Sequence, residues 1–320
     1  TGVNRINRAK GAGKTKVFLP LFRRRGNTMQ PWRRRQNAVY ISFILPAAAF
    51  FTAFFIVPFA ESLWLSFTDA YGYNPEQHFV DLRNYREALA NPAFRSALWV
   101  TVKYTVFVTL GANLTALALA LLLDGNVHCK KLFRAVFFLP NLMSLVIVSF
   151  VWVFLYGSVY RSAVALLNIP EAWQISWLGN RRQALYSMGF TAIWQCAGYY
   201  MLIYIAGLQN IGASLTEAAA MDGAGPWAMI WHIKLPMLSP VIAMNTVLLM
   251  ISCFKTFDIP MAMTSGGPAG ATTTIALQIY NTAFRSSRTG YATAQSVILF
   301  LIISLLTALT FRLQRKGEEE

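Results

Sequence analysis

The sequence predicts an all-α integral membrane protein with six transmembrane helices, and two observations carry that prediction. Hydrophobic residues make up 56% of the chain and charged residues 13%, against about 25% charged residues in soluble domains, and the mean hydropathy is +0.44. Six stretches also reach about 20 apolar residues, the length that a helix needs to cross a bilayer. We expect the spans at about 39–67, 98–123, 135–156, 184–208, 240–259 and 291–313.

A seventh apolar run, from Ile259 to Phe284, is not expected to cross the membrane. It contains Ser265-Gly266-Gly267-Pro268, Gly270 and three successive threonines. This composition is typical of turns and is too polar to face lipid. Within the run, the segment Gln278–Asn281 is expected to form an interfacial turn or a re-entrant piece.

The distribution of Lys and Arg predicts the orientation of the chain. Residues 1–35 contain eleven Lys and Arg residues and no acid, and more basic residues lie in the loop at 124–134 and in the C-terminal tail at 314–320. The loops on the opposite side carry scattered arginines that acids partly offset. Because cytoplasmic loops carry an excess of Lys and Arg, we expect both termini and the loop at 209–239 to be cytoplasmic.

The basic N-terminal tail, residues 1–38, accounts for most of the net charge of +15. We interpret it as a determinant of topology that also contacts anionic membrane lipid. Nucleic-acid binding is not expected, because no folded module accompanies the basic run; a specific regulatory contact is the remaining alternative. No secretory signal is expected, because the basic region is too long and a full span follows it. The chain begins at Thr1 rather than Met, and we expect processing or trimming there.

The sequence contains no residues with the spacing of a catalytic, metal or nucleotide site. Gly11–Thr15 resembles half of a phosphate-binding loop, but Arg8 occupies the place of the first glycine and no strand precedes it. The cysteines and the histidines are each widely separated, at Cys129, Cys196, Cys253, His78, His128 and His232. We therefore expect that this chain is not an enzyme and holds no metal or cofactor of its own.

The loop at 209–239 has the pattern of two short helices with a tight break between them. Ser214 stands three residues before Glu217, the spacing of a capping box that would open the first helix. Gly223 is expected to end that helix, because a positive φ costs glycine little, and Pro226 is expected to begin the second. A plain helix–turn–helix connection between two spans would also fit this composition.

The same loop contains Glu217-Ala218-Ala219, then Gly223 after three residues, then Ile233-Lys234-Leu235-Pro236 after nine. This spacing resembles the EAA loop of the permease subunits of ABC importers, and its wider context resembles their carbohydrate branch, the MalF/UgpA type. The resemblance implies the fold of a six-span type I ABC importer permease, with a cytoplasmic coupling helix that seats in a cleft of the ATPase subunit. The coupling-loop residues that it implies are Glu217, Ala218, Ala219, Asp222, Gly223 and Trp227.

Further segments extend the resemblance over about residues 40–313. They are Phe79–Tyr85, with Asp81 where the family usually has Gly, and Phe137–Pro140, Gly207–Ile211, Thr264–Pro268 and Gly290–Ala292. The chain as a whole resembles the permease of an alginate (uronate oligosaccharide) importer.

Polar residues inside the predicted spans are costly to insert and are usually functional. By resemblance to the maltose-type permease, the residues expected to line the sugar path are Asn141, Leu145, Gln195, Tyr199, Lys255 and Thr256. Ser144 is a further candidate, because it is a polar residue inside the third predicted span. For each polar residue, a hydrogen bond between helices is the alternative, and Lys255 could instead pair with Asp258. An unpaired Lys255 would favour an acidic sugar. Nearby aromatic residues are candidates for stacking on sugar rings or for interfacial anchors: Trp152, Tyr156, Trp194 and Tyr200.

The resemblance, together with the membrane topology, implies a permease subunit of an ATP-driven, binding-protein-dependent importer of oligosaccharides in the bacterial inner membrane. The implied partners are a second, paralogous permease subunit in a heterodimer, an ABC ATPase dimer and a periplasmic solute-binding protein. ATP and Mg²⁺ would bind to the ATPase, because this chain has no complete Walker A sequence. The alternative is an ion-coupled secondary transporter, which should show inverted repeats and an essential buried acid such as Asp258. A membrane enzyme would need a carboxylate pair or a metal cluster.

Overall fold

The computed structural model describes residues 31–72, 74, 76–125, 127–170 and 174–319. These residues form helices joined by turns, and a single bridge between Thr68 and Phe79 is the only strand-like pairing in this part of the chain. The prediction of an all-α protein is confirmed. Most of the basic tail, up to residue 30, lies outside the described residues. The chain divides into two compact units, one ending at Pro58 and one beginning at Phe59.

The first unit is helical throughout its described part. It contains α1 (Pro31–Phe51), one turn of π-helix (Thr52–Ile56) and the first residues of α2 (Val57–Leu65). Its described side chains are exposed, and Phe50 stacks on Phe54 with ring centroids 6.0 Å apart. From residue 39 to residue 58 this helical segment is almost entirely apolar and its described side chains are exposed, which suits contact with lipid or with another chain.

The second unit contains the remaining helices. Those before residue 209 are α3 (Arg83–Ala90), α4 (Pro92–Asp124), α5 (Lys130–Phe138), a 3₁₀ turn (Leu139–Leu142), α6 (Leu145–Phe154), a π turn (Leu155–Val159), α7 (Tyr160–Leu166) and α8 (Gln183–Gln209). Those after it are α9 (Ala213–Met221), α10 (Pro226–Met229), a π turn (Ile230–Lys234), α11 (Leu235–Met237), α12 (Ser239–Phe254), α13 (Asp258–Thr264), α14 (Ile275–Tyr280), a π turn (Asn281–Arg285) and α15 (Thr289–Glu319).

The core of the second unit lies where α4 packs against α8 and α12. On α4, Ala112, Ala116 and Ala120 are spaced four residues apart and are fully buried, so that neighbouring helices can approach closely. Asn113 joins the three helices: it donates to the Thr246 hydroxyl over 3.3 Å and accepts from the Tyr204 hydroxyl over 2.6 Å. Asn113 therefore forms hydrogen bonds between helices, which is the alternative role considered above for polar residues in the spans.

Four helices in the described part of the chain are long and apolar enough to cross a membrane: Ser42–Leu65, Pro92–Asp124, Leu145–Leu166 and Thr289–Arg312. A fifth is added if Pro226–Met237 and Ser239–Phe254, which are bent by 65° at their junction, count as one span. The helix α15 continues from the predicted sixth span through the predicted C-terminal tail as far as Glu319. The division into six spans stays a prediction.

The predicted fourth span corresponds to α8. This helix is long enough to cross a membrane, but it is not among the four helices that are also apolar enough to do so. Its sequence includes Gln195, Tyr199, Tyr200 and Tyr204, which lower its hydropathy. More than half of its residues are buried inside the protein. A helix that is surrounded by other helices does not need the apolar surface that lipid requires.

The predicted third and fifth spans are interrupted, each beside a proline. In the third, α5 ends at Phe138 and α6 begins only at Leu145, because Pro140 has no N–H with which to continue the helix. In the fifth, α12 ends at Phe254 rather than at Ile259. Pro260 cannot donate to the Thr256 carbonyl four residues before it, and that oxygen accepts from the Thr274 hydroxyl over 2.9 Å instead.

The run between Ile259 and Phe284 contains both turns and helices. The Ser265–Thr274 segment turns, with positive φ at Ser265 and Gly266. The Thr264 hydroxyl lies 2.6 Å from that of Thr272. The segment Gln278–Asn281, expected as an interfacial turn or re-entrant piece, is the end of α14 and the start of the following π turn.

The helix ends on the side opposite the loop at 209–239 are joined by a cluster that we call the outer clamp: Thr68, Ala70, Asn84, Glu87, Arg288, Gly290 and Tyr291. The buried Asn84 donates to the carbonyl oxygens of Ser66 and Thr68 over 2.9 and 2.8 Å. Gly290 donates from its N–H to the Ala70 carbonyl over 2.9 Å. A Cβ at Gly290 would overlap the Thr68 carbonyl and lie 3.0 Å from the Ala70 nitrogen. This approach of two backbones therefore requires glycine.

An ion pair closes the outer clamp. Arg288 donates two hydrogen bonds to the Glu87 carboxylate, over 2.7 and 2.8 Å, and its guanidinium lies 4.2 Å from the centroid of the Tyr291 ring. The hydrogen bonds from Arg288 lower the pKa of Glu87, and the same bonds raise the pKa of Arg288. Asp81, in the segment that resembles the family, has a φ of +51°. The usual glycine suits this left-handed conformation, and Asp tolerates it better than most residues.

Candidate functional site

The loop at 209–239 forms the two short helices and the break that the sequence predicts. Gly223 has a φ of +82° and follows the end of α9, and Pro226 is the first residue of α10. A Cβ at Gly223 would meet no atom within 4 Å. The positive φ, rather than a lack of space, is therefore what favours glycine there. Both predictions, for Gly223 and for Pro226, are confirmed.

The predicted capping box at the start of α9 is absent. The helix begins at Ala213, its N-cap residue is Gly212, and no side chain caps it. Ser214 thus lies inside the first turn, two residues beyond the N-cap position from which a serine can cap. The extended backbone of Gly212, with a φ of −60° and a ψ of 132°, takes the N-cap position instead.

The residues predicted to form the coupling loop lie on an exposed surface with a large apolar content. Glu217, Ala218, Asp222 and Gly223 are exposed, and Ala219 is half-buried. Three large apolar side chains lie on the same loop: Trp227 is 74% exposed, Met221 88% and Trp231 63%. A patch of this kind on a polar loop is typical of a protein–protein contact surface.

An ion pair ties this loop to the end of α4. The Lys234 Nζ lies 2.6 Å from an Asp124 carboxylate oxygen, and the two side chains are 21% and 29% exposed. Asp124 is the last residue of α4. A carboxylate at a helix C-terminus is unfavourable by itself, because it adds to the negative end of the helix dipole. The Lys234 ammonium offsets that charge and fixes the π turn of the loop against the core helix.

Sequence reasoning did not find this ion pair. Lys234 stands only at the variable position of I-x-L-P, and Asp124 lies at the boundary between a predicted span and a loop. The two residues are 110 positions apart, and no periodicity links them. The one available signal is an acid at the end of an apolar helix, which needs a cation nearby.

Two of the predicted path residues lie on one face of α8. Gln195 and Tyr199 are one turn apart; Gln195 is buried, and Tyr199 is 41% exposed. The end of α5 and the following 3₁₀ turn, which contains Asn141, pack against α8. Gly198 permits this contact, because a Cβ there would overlap the Phe137 carbonyl and lie 2.9 Å from the Phe138 Cα.

The remaining path residues lie at the two helix interruptions. Ser144 and Leu145 stand where α6 begins, and Lys255 and Thr256 lie between α12 and α13. Because α13 packs against α6, the second interruption is brought toward the third span. Among the described residues, no hydrogen bond joins one predicted path residue to another by its side chain.

Lys255 and Asp258 do not form the ion pair that the sequence left open. Both side chains are exposed. The ion pairs in the described part of the chain are His78–Asp69, Lys234–Asp124 and Arg288–Glu87. Lys255 is therefore a cation without a carboxylate partner in the described chain, beside the interruption of the fifth span.

Three of the four aromatic candidates pack together, with Trp152 between the other two. The Trp152 ring lies 5.6 Å from that of Trp194 and 5.1 Å from that of Tyr156, measured between centroids. The Tyr156 hydroxyl donates to the Ser187 carbonyl over 3.0 Å. Tyr200 lies within the core cluster. These rings connect the third span to α8, and Trp194, at 44% exposed, retains the largest free surface of the three that contact one another.

No group of three potential metal ligands occurs among the described residues.

Comparisons with known proteins agree with this architecture. The sequence profile described as "Binding-protein-dependent transport system inner membrane component" matches residues 112–317. The chain is 30% identical over 281 residues, which are 88% of this chain and 95% of the relative, to the probable starch degradation products transport system permease protein AmyD of Thermoanaerobacterium thermosulfurigenes. It is 32% identical over 272 residues, 84% of this chain and 91% of the relative, to the sn-glycerol-3-phosphate transport system permease protein UgpA of Escherichia coli.

A solved structure has the same fold. The crystal structure of a bacterial alginate ABC transporter, in complex with an alginate pentasaccharide-bound periplasmic protein, contains a chain that superposes with a TM-score of 0.78. The match covers 89% of this chain and 97% of that chain, at 20% sequence identity.

Proposed function

The chain belongs to the family of binding-protein-dependent transport system inner membrane components and is a permease subunit of a sugar ABC importer; from this premise, we propose that it couples its translocation path to a separate ATPase through the exposed loop at 209–239. The observation that carries the proposal is the large exposed apolar surface on that loop, at Met221, Trp227 and Trp231. Family membership favours an importer over the alternative of an ion-coupled secondary transporter.

The coupling works through the anchored loop. The ATPase dimer closes on ATP and moves the docked loop, and the Lys234–Asp124 ion pair transmits this motion to α4. The protein then shifts between inward-facing and outward-facing states, and each ligand acts only by binding one state more tightly. ATP and Mg²⁺ bind on the ATPase. A second permease subunit completes the path, a periplasmic binding protein delivers the substrate, and both termini are cytoplasmic.

Co-purification tests the docking role. The tagged chain is solubilised from its native host in mild detergent, and its partners are identified by mass spectrometry. We expect a Walker A-containing ATPase, lost on Glu217→Lys or Gly223→Asp. The matched control is Glu76→Lys, which makes the same charge change at an exposed residue outside the loop. Retention of the ATPase by both loop variants, or isolation of the wild-type chain alone, would contradict the proposal.

We further propose an acidic oligosaccharide, such as a uronate oligomer, as the substrate. Lys255 supports this class, since it is a cation without a carboxylate partner in the described chain, beside the path residue Thr256. The names of the relatives cover starch degradation products and sn-glycerol-3-phosphate. The substrate class therefore has to be decided on this chain.

The substrate class is tested in the reconstituted complex with its binding protein. We expect oligouronates to stimulate ATP hydrolysis and neutral oligosaccharides not to do so. Lys255→Gln should raise the oligouronate concentration for half-maximal stimulation several-fold, because a charge-assisted contact is lost. Arg95→Gln, which removes an exposed charge away from the path residues, is the control. Stimulation by neutral sugars alone would overturn the acidic class and leave the docking role intact.

A further inference from the structure

A basic cavity of about 500 Å³ lies where the beginning of α4, the beginning of α8 and the turn at Gly270–Ala271 meet. Three cations line it, Lys103, Arg181 and Arg182, together with the aromatic rings of Trp99 and Tyr186. In the predicted orientation these helix ends face the outside, where Lys and Arg are depleted relative to the cytoplasmic side. Three basic residues in one outer cavity therefore call for a specific reason.

Within the part of the chain that the structure describes, no acidic side chain neutralises the charges in this cavity. The described lining residues include no acid, and none of the three cations takes part in the ion pairs found among the described residues. The Lys103 ammonium lies 5.2 Å from the centroid of the Trp99 ring, a cation–π contact that leaves its charge in place. The first turn of α8 has no acidic residue either, so its helix dipole adds positive potential. The cavity is complementary to an anion.

The cavity opens on the side of α8 that faces away from the predicted sugar path. Tyr186 precedes Gln195 by nine residues, and Phe190 precedes Tyr199 by nine. Nine residues are about two and a half turns of an α-helix, so the two side chains of each pair lie on opposite sides of α8. Tyr186 and Phe190 are 50% and 55% exposed. An anion in this cavity therefore approaches from the membrane side of α8.

An apolar surface continues from the cavity toward the middle of the membrane. On α4, Val106 and Leu110 follow Lys103 and are 54% and 59% exposed. On α8, the exposed Phe190 packs against Phe107 of α4, with ring centroids 5.4 Å apart. A ligand that matches both parts has an anionic head and an apolar body. A phospholipid has this form, and an oligosaccharide does not.

We propose that Lys103, Arg181 and Arg182 bind the phosphate of an anionic phospholipid in the outer leaflet, whose acyl chains lie along Val106, Leu110 and Phe190. The site rests on the predicted orientation and is independent of the transported sugar. It holds the beginnings of α4 and α8 together at the membrane surface, with Trp99 and Tyr186 at the level of the head groups.

Native mass spectrometry of the full complex tests the site, with phosphatidylglycerol and phosphatidylcholine as probes. We expect preferential retention of phosphatidylglycerol, weakened by about tenfold or more in the triple variant Lys103→Gln, Arg181→Gln, Arg182→Gln, because each basic residue near a lipid surface contributes to anion binding. The control triple variant, Arg83→Gln, Arg86→Gln, Arg95→Gln, removes the same charge from exposed positions on the same side and should retain the preference. Each single variant should show part of the loss if the triple variant does not fold.

Two results would overturn the proposal. One is an equal affinity for the two lipids, or an equal loss in the two triple variants. The other is displacement of the bound lipid by a soluble oligouronate whose own binding is abolished by Lys103→Gln, Arg181→Gln, Arg182→Gln; this would assign the cavity to the sugar. The wild-type complex in nanodiscs gives an independent measurement, because phosphatidylglycerol should raise its unfolding temperature above that in phosphatidylcholine.

Discussion

The two ends of the second unit are built in different ways. At the outer clamp, buried polar groups and close backbone contacts join segments far apart in the chain, as at Asn84 and Gly290. At the loop at 209–239, large apolar side chains such as Trp227 are exposed, and the ion pair of Lys234 with Asp124 ties the loop to α4. The clamp completes its contacts within this chain, whereas the loop has the surface of an element that completes its contacts with a partner.

The largest effect on stability is expected when a glycine is replaced by alanine, and the substitution can be compared at the two ends. Gly290→Ala should destabilise the protein by about 3 kcal/mol or more, because a Cβ there overlaps backbone that cannot move aside. Gly223→Ala should cost about 1–2 kcal/mol, since only its positive φ is unfavourable. Thermal unfolding in detergent measures both. Equal losses would remove the distinction between a packed end and an open end.

The next effect concerns the exposed apolar surface of the loop. Trp227→Ala should change the stability of the isolated chain by less than about 0.5 kcal/mol, because the side chain is largely in solvent. It should weaken ATPase binding by about 2 kcal/mol if the tryptophan is an anchor of the docked surface. Affinity for the purified ATPase and chain stability are measured side by side. A loss of stability without a loss of affinity would show that Trp227 packs on its own chain.

A smaller effect is expected at the ion pair between the loop and α4. Lys234→Ala should uncouple transport from ATP hydrolysis more than it weakens ATPase binding, because in the proposed coupling the pair transmits motion and does not make the docking contact. The double variant Asp124→Lys, Lys234→Asp should restore part of the coupling. The ratio of sugar transported to ATP hydrolysed, in proteoliposomes, is the measurement. A double variant no better than either single variant would mean that the pair has no positioning role.

The smallest effect is a pH dependence at the outer clamp. The pKa of Glu87 is lowered from its usual value of 4.5 by the hydrogen bonds from Arg288. The ion pair therefore stabilises the folded state fully above pH 4.5, the usual pKa of the carboxyl group. This stabilisation is lost as the pH falls through the lower pKa that Glu87 has in the folded protein. Unfolding temperatures of the wild type should fall more steeply below pH 4.5 than those of Glu87→Gln. Parallel curves of unfolding temperature against pH would show that the pair contributes nothing to stability, which is true of many exposed ion pairs.

The sequence by itself determines the features that depend on neighbouring residues. An apolar run of about 20 residues predicts a membrane helix wherever the rest of the chain lies. The break in the loop at 209–239 follows from Gly223 and Pro226, whose backbone preferences are local. The proline positions also contain the signal for the interruptions of the third and fifth spans, although the predicted spans run across both.

The tertiary structure decides which distant groups meet. The Lys234–Asp124 pair, the Arg288–Glu87 pair and the hydrogen bonds of Asn113 join residues between 91 and 201 positions apart. The burial of α8, which lets a helix with Gln195 lie in the core, likewise depends on its neighbours. A charged or polar side chain needs a partner when it leaves water, but its own sequence does not say which one, because helix packing brings that partner from elsewhere in the chain.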